Sequence, residues 1–214
     1  MEEEKKGTLD RVELFYLPIF EYKNVIDDDQ AEVLLSFCMQ QDYISTVEGN
    51  SAFTSTSADN DVMSKIPEMG NFFEKLVGDI SYQIMRQKST AFAIPNSWCT
   101  KTEYGQMSVP HVHKNYYMSG VLYMQDDCCI ELQNPLFKLN PFIIDVQELT
   151  PFTSQSSMFY PRKNSLILFP AWLEHGIPKW NKHEDRYSIA MNIHPIGQYG
   201  LTTSSMYIDP ETVK

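Results

Sequence analysis

The chain has 214 residues, 43% apolar and 13% aromatic, enough to bury a substantial core in one domain of a size that β-barrels and sandwiches reach undivided. Its 17 Lys and Arg stand against 28 Asp and Glu, and the formal charge of −11 repels phosphate backbones and anionic bilayers, which disfavours nucleic acid as a partner. The opening MEEEKKGTLD is charged where a signal peptide needs an apolar run, and no stretch approaches the ~18–20 apolar residues that cross a bilayer, so a soluble cytoplasmic protein with no membrane partner is expected.

The segment Glu13 to Leu17, ahead of Pro18, has β-rich composition and predicts a first strand ending near Phe20. Asp27 to Asp29 precede Val33, Leu34, Phe37 and Cys38 at helical spacing. Carboxylates there cap a helix N-terminus rather than bind metal. Residues 45–61 are rich in Ser, Thr, Asn and Gly and predict an exposed connection. Ser64 as N-cap and Pro67 in the first turn open the clearest helix, in which Ile66, Met69, Phe73, Leu76, Val77, Ile80 and Ile84 form one apolar stripe through about residue 87.

From residue 91 the pattern changes to short β-like runs: 91–94, 98–104, 118–124, 129–133, 166–169 and 187–193. Short strands after two helices predict a mainly β fold with flanking helices, a double-stranded β-helix (jelly roll, cupin-like) whose N-terminal helices pack on one sheet. The expected organisation is a single domain over 1–214: supporting elements in 1–90, the β core in 91–195 and a C-terminal extension in 196–214. Residues 134–164 form a long Pro-containing stretch with a candidate strand at 142–146, and are a candidate cover over a site. Cys38, Cys99, Cys128 and Cys129 lack both a disulfide framework and C-x-x-C spacing, and read as reduced thiols.

Two of the five histidines form His111-Val112-His113 after Pro110. In an extended segment the period of two puts both imidazoles on one side, close enough to share an ion. His175 follows the apolar run 166–169 and the turn Pro170 to Glu174. Two adjacent ligands and one from a distant strand make a facial triad that leaves coordination positions open. Histidines hydrogen-bonded in a core or lying on the surface are the competing account. Arg186, eleven positions past His175, opens the alternating segment Arg186 to Asn192. Its planar fork suits the far carboxylate of a dicarboxylic co-substrate, while a surface ion pair with Glu184 or Asp185 is the alternative.

These blocks in order, His111-Val112-His113, then Tyr117 to Met124, Ile130 to Pro135, Ser165 to Pro170 with His175, and Arg186 to Ile189, resemble the 2-oxoglutarate/Fe(II)-dependent oxygenases. The likeness is greatest to a bacterial and phage branch with H-x-H, S-G-V-x-Y and F-P-x-x-x-x-H motifs, and more distant to prolyl hydroxylases. It covers roughly residues 95–195. The resemblance implies Fe(II) as metal, 2-oxoglutarate as co-substrate and O₂ as oxidant. It implies His111 and His175 as ligands, Arg186 on the C5 carboxylate and Tyr123 beside it, with an inward aromatic filling the barrel as the alternative for Tyr123. Asn192, on the same strand face as Arg186, is a candidate pocket residue. The superfamily places a carboxylate two residues after the first histidine, where this chain has His113. His113 as third ligand is favoured, Glu131 is held in reserve, and a two-histidine site completed by water is the third option. His183 reads as part of a solvated turn and His194 as a strand end. Trp98, Tyr104 and Trp172 are candidates for the pocket mouth.

The expected activity is oxidation, typically hydroxylation, of an unidentified small molecule or protein side chain with release of succinate and CO₂. A homodimer is admissible. The competing functions are a cupin-like three-histidine iron dioxygenase acting without 2-oxoglutarate, and a non-catalytic jelly-roll binding module.

Overall fold

The computed structural model describes residues 17–88, 91–139, 144–150 and 153–213. Among these residues twelve strands form two sheets. The larger runs in the order β1 (Phe20–Tyr22), β9 (Ser165–Pro170), β6 (Met118–Tyr123), β11 (Arg186–Tyr199), β4 (Ala91–Thr102), β3 (Ser55–Ser57), β2 (Tyr43–Ser45), with β12 (Met206–Ile208) added to the end of β11. The smaller runs β5 (Ser108–His111), β10 (His175–Ile177), β7 (Ile130–Gln133), β8 (Ser156–Phe159). Every pairing in these strands is antiparallel, and the two facing sheets make the expected jelly roll.

The larger sheet is covered on its outer face by α1 (Asp28–Met39) and α2 (Pro67–Asp79). Leu34, Cys38, Phe73 and Val77 of the helices share a core with Leu122, Leu166, Leu168, Ile189, Met191 and Ile193 of the strands. Its inner face supplies Tyr123, Ile167 and Phe169 to a second core with Ile130, Leu132 and Leu173. A strand buried on both faces reads as an unbroken apolar run, which is why Leu166 to Phe169 is so legible. Strand β11 is also buried on both faces, yet only one is apolar. Tyr187, Ile189, Met191 and Ile193 belong to the helix-side core, whereas the alternate positions are Arg186, Ser188, Ala190 and Asn192. Three buried polar side chains on that face, Arg186, Ser188 and Asn192, are the first structural sign of a site.

Asp27 caps α1 in a reciprocal box with Gln30, and Asp28 and Asp29 occupy its first turn, as expected. Val33 is exposed, because the buried face is set by Ala31, Leu34 and Cys38, one step of helical rotation away. Helix α2 differs in detail. Ser64 lies in a preceding 3₁₀ turn (Met63–Lys65), its hydroxyl donates to Asp61 O, and Ile66 holds the cap position ahead of Pro67. The helix then passes into a π turn over Ile80–Ile84, where Met85 N–H donates to Ile80 O at 3.0 Å. The wider turn rotates the stripe off the sheet, so Ile84 is exposed.

Among the described residues the first strand is Phe20–Tyr22; of the strand expected from Glu13 to Leu17, Glu13 to Tyr16 lie outside the described residues. Two other expectations change. Residues 45–61 are more than a connection, because Ser55–Ser57 pairs with both β2 and β4, with Thr54 and Ser57 buried. In 134–164, Phe142 and Ile143 lie outside the described residues, Ile144 and Val146 are exposed and outside any strand, and the strand present is β8, paired with β7. Cys38, Cys99, Cys128 and Cys129 are free thiols. Among the described residues no helix is long and apolar enough to cross a membrane.

Candidate functional site

Backbone register brings the histidines together. In the β5–β10 pair, His111 and His175 are Cα partners, and His113 N–H donates to Ala171 O at 2.9 Å, tying the segment after β5 to the turn before β10. The ring centroids lie 5.0 Å (His111–His113), 4.6 Å (His111–His175) and 5.1 Å (His113–His175) apart. One ring nitrogen from each falls within 4.8 Å of the others, close enough for one ion.

Outer contacts decide which nitrogens are available. His111 Nδ1 is 2.8 Å from Val109 O, and His175 Nδ1 is 2.8 Å from Leu173 O. A carbonyl can only accept, so each neutral ring carries its proton on Nδ1 and leaves the Nε2 lone pair free. His113 Nδ1 instead lies 3.3 Å from Asn192 Nδ2. Burial pushes the His175 imidazole down to about 3 and, together with the nearby His111, pushes His113 down to about 4. Both therefore stay neutral at neutral pH, the state in which an imidazole can take a metal.

A pH dependence follows for the metal-free protein. An unfolded imidazole titrates near 6.5, so below that pH the unfolded chain binds protons that folded His113 and His175 refuse until about 4 and about 3. Their contribution to stability is intact above pH 6.5 and declines as pH falls towards 4. Urea melts should show a lower midpoint at pH 5 than at pH 7, with a smaller drop in His175→Gln. Equal midpoints in the wild type would contradict the burial of these rings.

Gly176, next to His175, lies where β10 passes closest to β5. A Cβ there would sit 2.7 Å from Ser108 O and 3.2 Å from Pro110 N, both backbone atoms. Gly176→Ala should push β5 away, destabilise the protein by about 1–3 kcal/mol and weaken metal binding through His111. Chemical melts and a metal titration on this variant check both effects.

The histidines line a cavity of about 400 Å³ between the sheets, and Arg186 is the one Lys, Arg, Asp or Glu among the described residues lining it. Arg186 is 2% exposed, and its Nε and Nη1 have no hydrogen-bond partner among the described residues. The guanidinium lies 5.4 Å from the centroid of the Tyr123 ring, a cation–π contact that does not satisfy those donors. Burial raises the Tyr123 phenol above its ordinary value despite the opposing pull of Arg186.

Around Arg186 the inner face carries hydroxyls. Register pairs Thr56 with Thr100, Thr100 with Ser188, Ser188 with Tyr123 and Tyr123 with Ser165, a lateral row across five strands, and pairs Arg186 with Thr102 in the next row. The buried hydroxyls of Tyr123, Ser165 and Thr102 also lack partners among the described residues. A buried cation surrounded by unsatisfied hydroxyls is costly unless an anion occupies the space beside it.

Of the sequence-derived candidates, His111, His113, His175, Arg186 and Tyr123 meet in this cavity. Asn192 is buried on the same strand face as Arg186 but six residues further along, bonded to His113 and Ser119 rather than lining the cavity beside Arg186. Glu131 is not brought to the histidines. Its neighbours Ile130 and Leu132 face the inner core, and its carboxylate accepts from Ser156 Oγ at 2.6 Å. Trp98 lines the cavity, whereas Tyr104 and Trp172 are exposed and Tyr104 stacks on His183. His194 packs edge-on against Tyr116 and Tyr199. The cover expected from 134–164 is not found, since none of its described residues lines the cavity. Pairing of β7 with β8 carries that stretch along the edge of the smaller sheet. The wall is instead Thr46, Val47, Thr54 and Thr56, from β3 and the loop joining β2 to it.

A family model described as "Putative 2OG-Fe(II) oxygenase" matches residues 96–192, the segment holding all three histidines and Arg186. No curated protein matches the chain significantly. Solved structures of similar fold include HygX from Streptomyces hygroscopicus with nickel, 2-oxoglutarate and hygromycin B bound (13% identity, 84% of this chain and 83% of that chain, TM-score 0.58). A Pseudomonas putida prolyl-4-hydroxylase aligns with 12% identity over 83% of this chain and 93% of its own, with TM-score 0.58. The α-ketoglutarate-dependent epimerase SnoN of nogalamycin biosynthesis aligns with 10% identity over 87% and 84%, with TM-score 0.61. At these identities the structural likeness speaks for the fold.

Proposed function

We infer that the chain belongs to the 2-oxoglutarate/Fe(II)-dependent oxygenases, and that His111, His113 and His175 hold one Fe(II) while Arg186 holds the C5 carboxylate of 2-oxoglutarate. The carrying observation is the buried Arg186 guanidinium, with free Nε–H and Nη1–H donors in the same cavity as three convergent imidazoles. A guanidinium fork takes a carboxylate through two parallel charge-assisted hydrogen bonds, and the hydroxyls of Tyr123, Ser165 and Thr102 supply further partners. The metal end fits the same co-substrate. Imidazoles suit Fe(II), and three neutral ligands leave the full double charge of the ion to attract a dianion.

Fe(II) held by His111, His113 and His175 would supply the activation of O₂ that couples decarboxylation of 2-oxoglutarate to succinate and CO₂ with oxidation of a substrate C–H bond. The chain's own work is placement. Val109 and Leu173 carbonyls hold two imidazoles in the ligating tautomer, Arg186 and the hydroxyl row align the co-substrate, and Val121, Ile130 and Phe169 keep that region dry. The wall formed by Thr46, Val47, Thr54 and Thr56 carries no charge, which favours an uncharged portion of a small molecule or protein side chain as the substrate group that enters. Four free thiols favour a reducing compartment such as the cytoplasm.

A cupin-like dioxygenase acting without 2-oxoglutarate shares the three-histidine donor set, but leaves the unpaired donors of Arg186 without a purpose. The test is conversion of 2-oxoglutarate to succinate by purified protein with Fe(II), ascorbate and O₂. Slow conversion that requires iron and is stimulated by a substrate is expected. Absence of conversion together with absence of stoichiometric Fe(II) uptake overturns the assignment.

A further inference from the structure

We propose that Asn192 is a positioning residue for His113, turning its side-chain oxygen towards His113 Nδ1 in the metal-loaded protein and thereby making His113 the third nitrogen ligand. The proposal rests on the metal site inferred above. His111 and His175 are each anchored by a backbone carbonyl, which cannot change role. The partner of His113 is a side-chain amide, which offers a donor at one end and an acceptor at the other.

The two orientations have opposite consequences. With Nδ2 towards His113, Nδ1 accepts, the proton of the neutral ring resides on Nε2, and that nitrogen has no lone pair for a cation. With Oδ1 towards His113, Nδ1 carries the proton and Nε2 is free. The other end of the amide tolerates either state. Asn192 and Ser119 are register partners on β11 and β6, with Ser119 Oγ 3.0 Å from Asn192 Oδ1. A hydroxyl both donates and accepts, so turning the amide over exchanges donor and acceptor at both contacts without loss of a hydrogen bond. Asn192 is 2% exposed and Ser119 3%, so the pair, rather than bulk water, sets the choice. A cation among the three rings selects the Oδ1-inward state.

The test uses Co(II) as probe, titrated into the full-length protein and followed by its visible absorption. Asn192→Asp, whose carboxylate can only accept, should bind Co(II) at least as tightly as wild type. Asn192→Leu should bind roughly 10- to 100-fold more weakly. In a His113→Ala background, Asn192→Leu should weaken binding no further. Asn192→Leu binding like wild type, or weakening that adds to that of His113→Ala, overturns the proposal. Ring ¹⁵N shifts of the Zn(II)-loaded wild type give a measurement independent of variant folding: His113 protonated on Nδ1 supports the proposal and on Nε2 overturns it. If the wild type takes up neither ion, the metal site itself falls. Uptake with an unaltered Asn192→Leu removes this inference alone.

Discussion

Replacing Arg186 with methionine should lower 2-oxoglutarate affinity by on the order of 100-fold or more while leaving the ligand-free protein at least as stable as the wild type. Two charge-assisted hydrogen bonds of about 1.5–3 kcal/mol each set the scale of the loss. The stability half of the expectation separates a binding residue from a structural one. Arg186 is 2% exposed and its Nε and Nη1 have no hydrogen-bond partner among the described residues, so methionine of similar length removes a desolvated charge while giving up its contacts with Tyr123 and Cys128. Apolar replacement of buried charge is typically neutral or stabilising by about 1–4 kcal/mol. Thermal melts of the apo variant and calorimetric titration of 2-oxoglutarate into metal-loaded protein measure the two halves. A destabilised variant with ordinary 2-oxoglutarate affinity would show that Arg186 serves the fold.

His111→Ala should reduce metal affinity by on the order of 10²–10⁴-fold, the share of one nitrogen in a binding free energy of about 10–16 kcal/mol divided among three or four ligands. His111 is the clean choice. Its side chain is exposed at the edge of the smaller sheet, whereas His175 is 6% exposed and packs against Phe169, so removing His175 also opens a cavity. The His111→Ala protein should therefore melt near the wild-type temperature without metal, and added metal should raise that temperature far less than it does for wild type. Equal stabilisation by metal in the two proteins would exclude His111 from the site.

Much of the β core and the positions of the site residues were legible in the chain. Buried strands announce themselves by apolar runs, as in Leu166 to Phe169, and an H-x-H pair on an extended segment places two imidazoles together whatever the surrounding topology. The parts that escaped detection lie across strands rather than along them. The row Thr56, Thr100, Ser188, Tyr123, Ser165 is assembled by register, and no one segment contains more than one member. Ser55–Ser57 resembles loop composition because its buried face is hydroxylic, not apolar. The π turn after α2 comes from one shifted hydrogen bond, which periodicity cannot anticipate. Strand periodicity places Asn192 on the Arg186 face, yet its contact with His113 depends on how the two sheets approach, which periodicity does not contain.

The cavity's walls differ in what a substitution there must satisfy. Strand β11 bears the core on one face and Arg186, Ser188 and Asn192 on the other, so exchange along it alters packing or chemistry, often both. Strand β3 is joined through β4, by the pairs Ser55–Lys101 and Thr56–Thr100, and shares no register pair with β11. Substitutions at Thr46, Val47 or Thr54 can reshape the entrance while the Arg186 end and the folded core stay as they are, with effects that add rather than couple. Selection can therefore retarget this scaffold to new molecules from its margin, one residue at a time, without first rebuilding the end of the cavity that holds Arg186 and the three histidines.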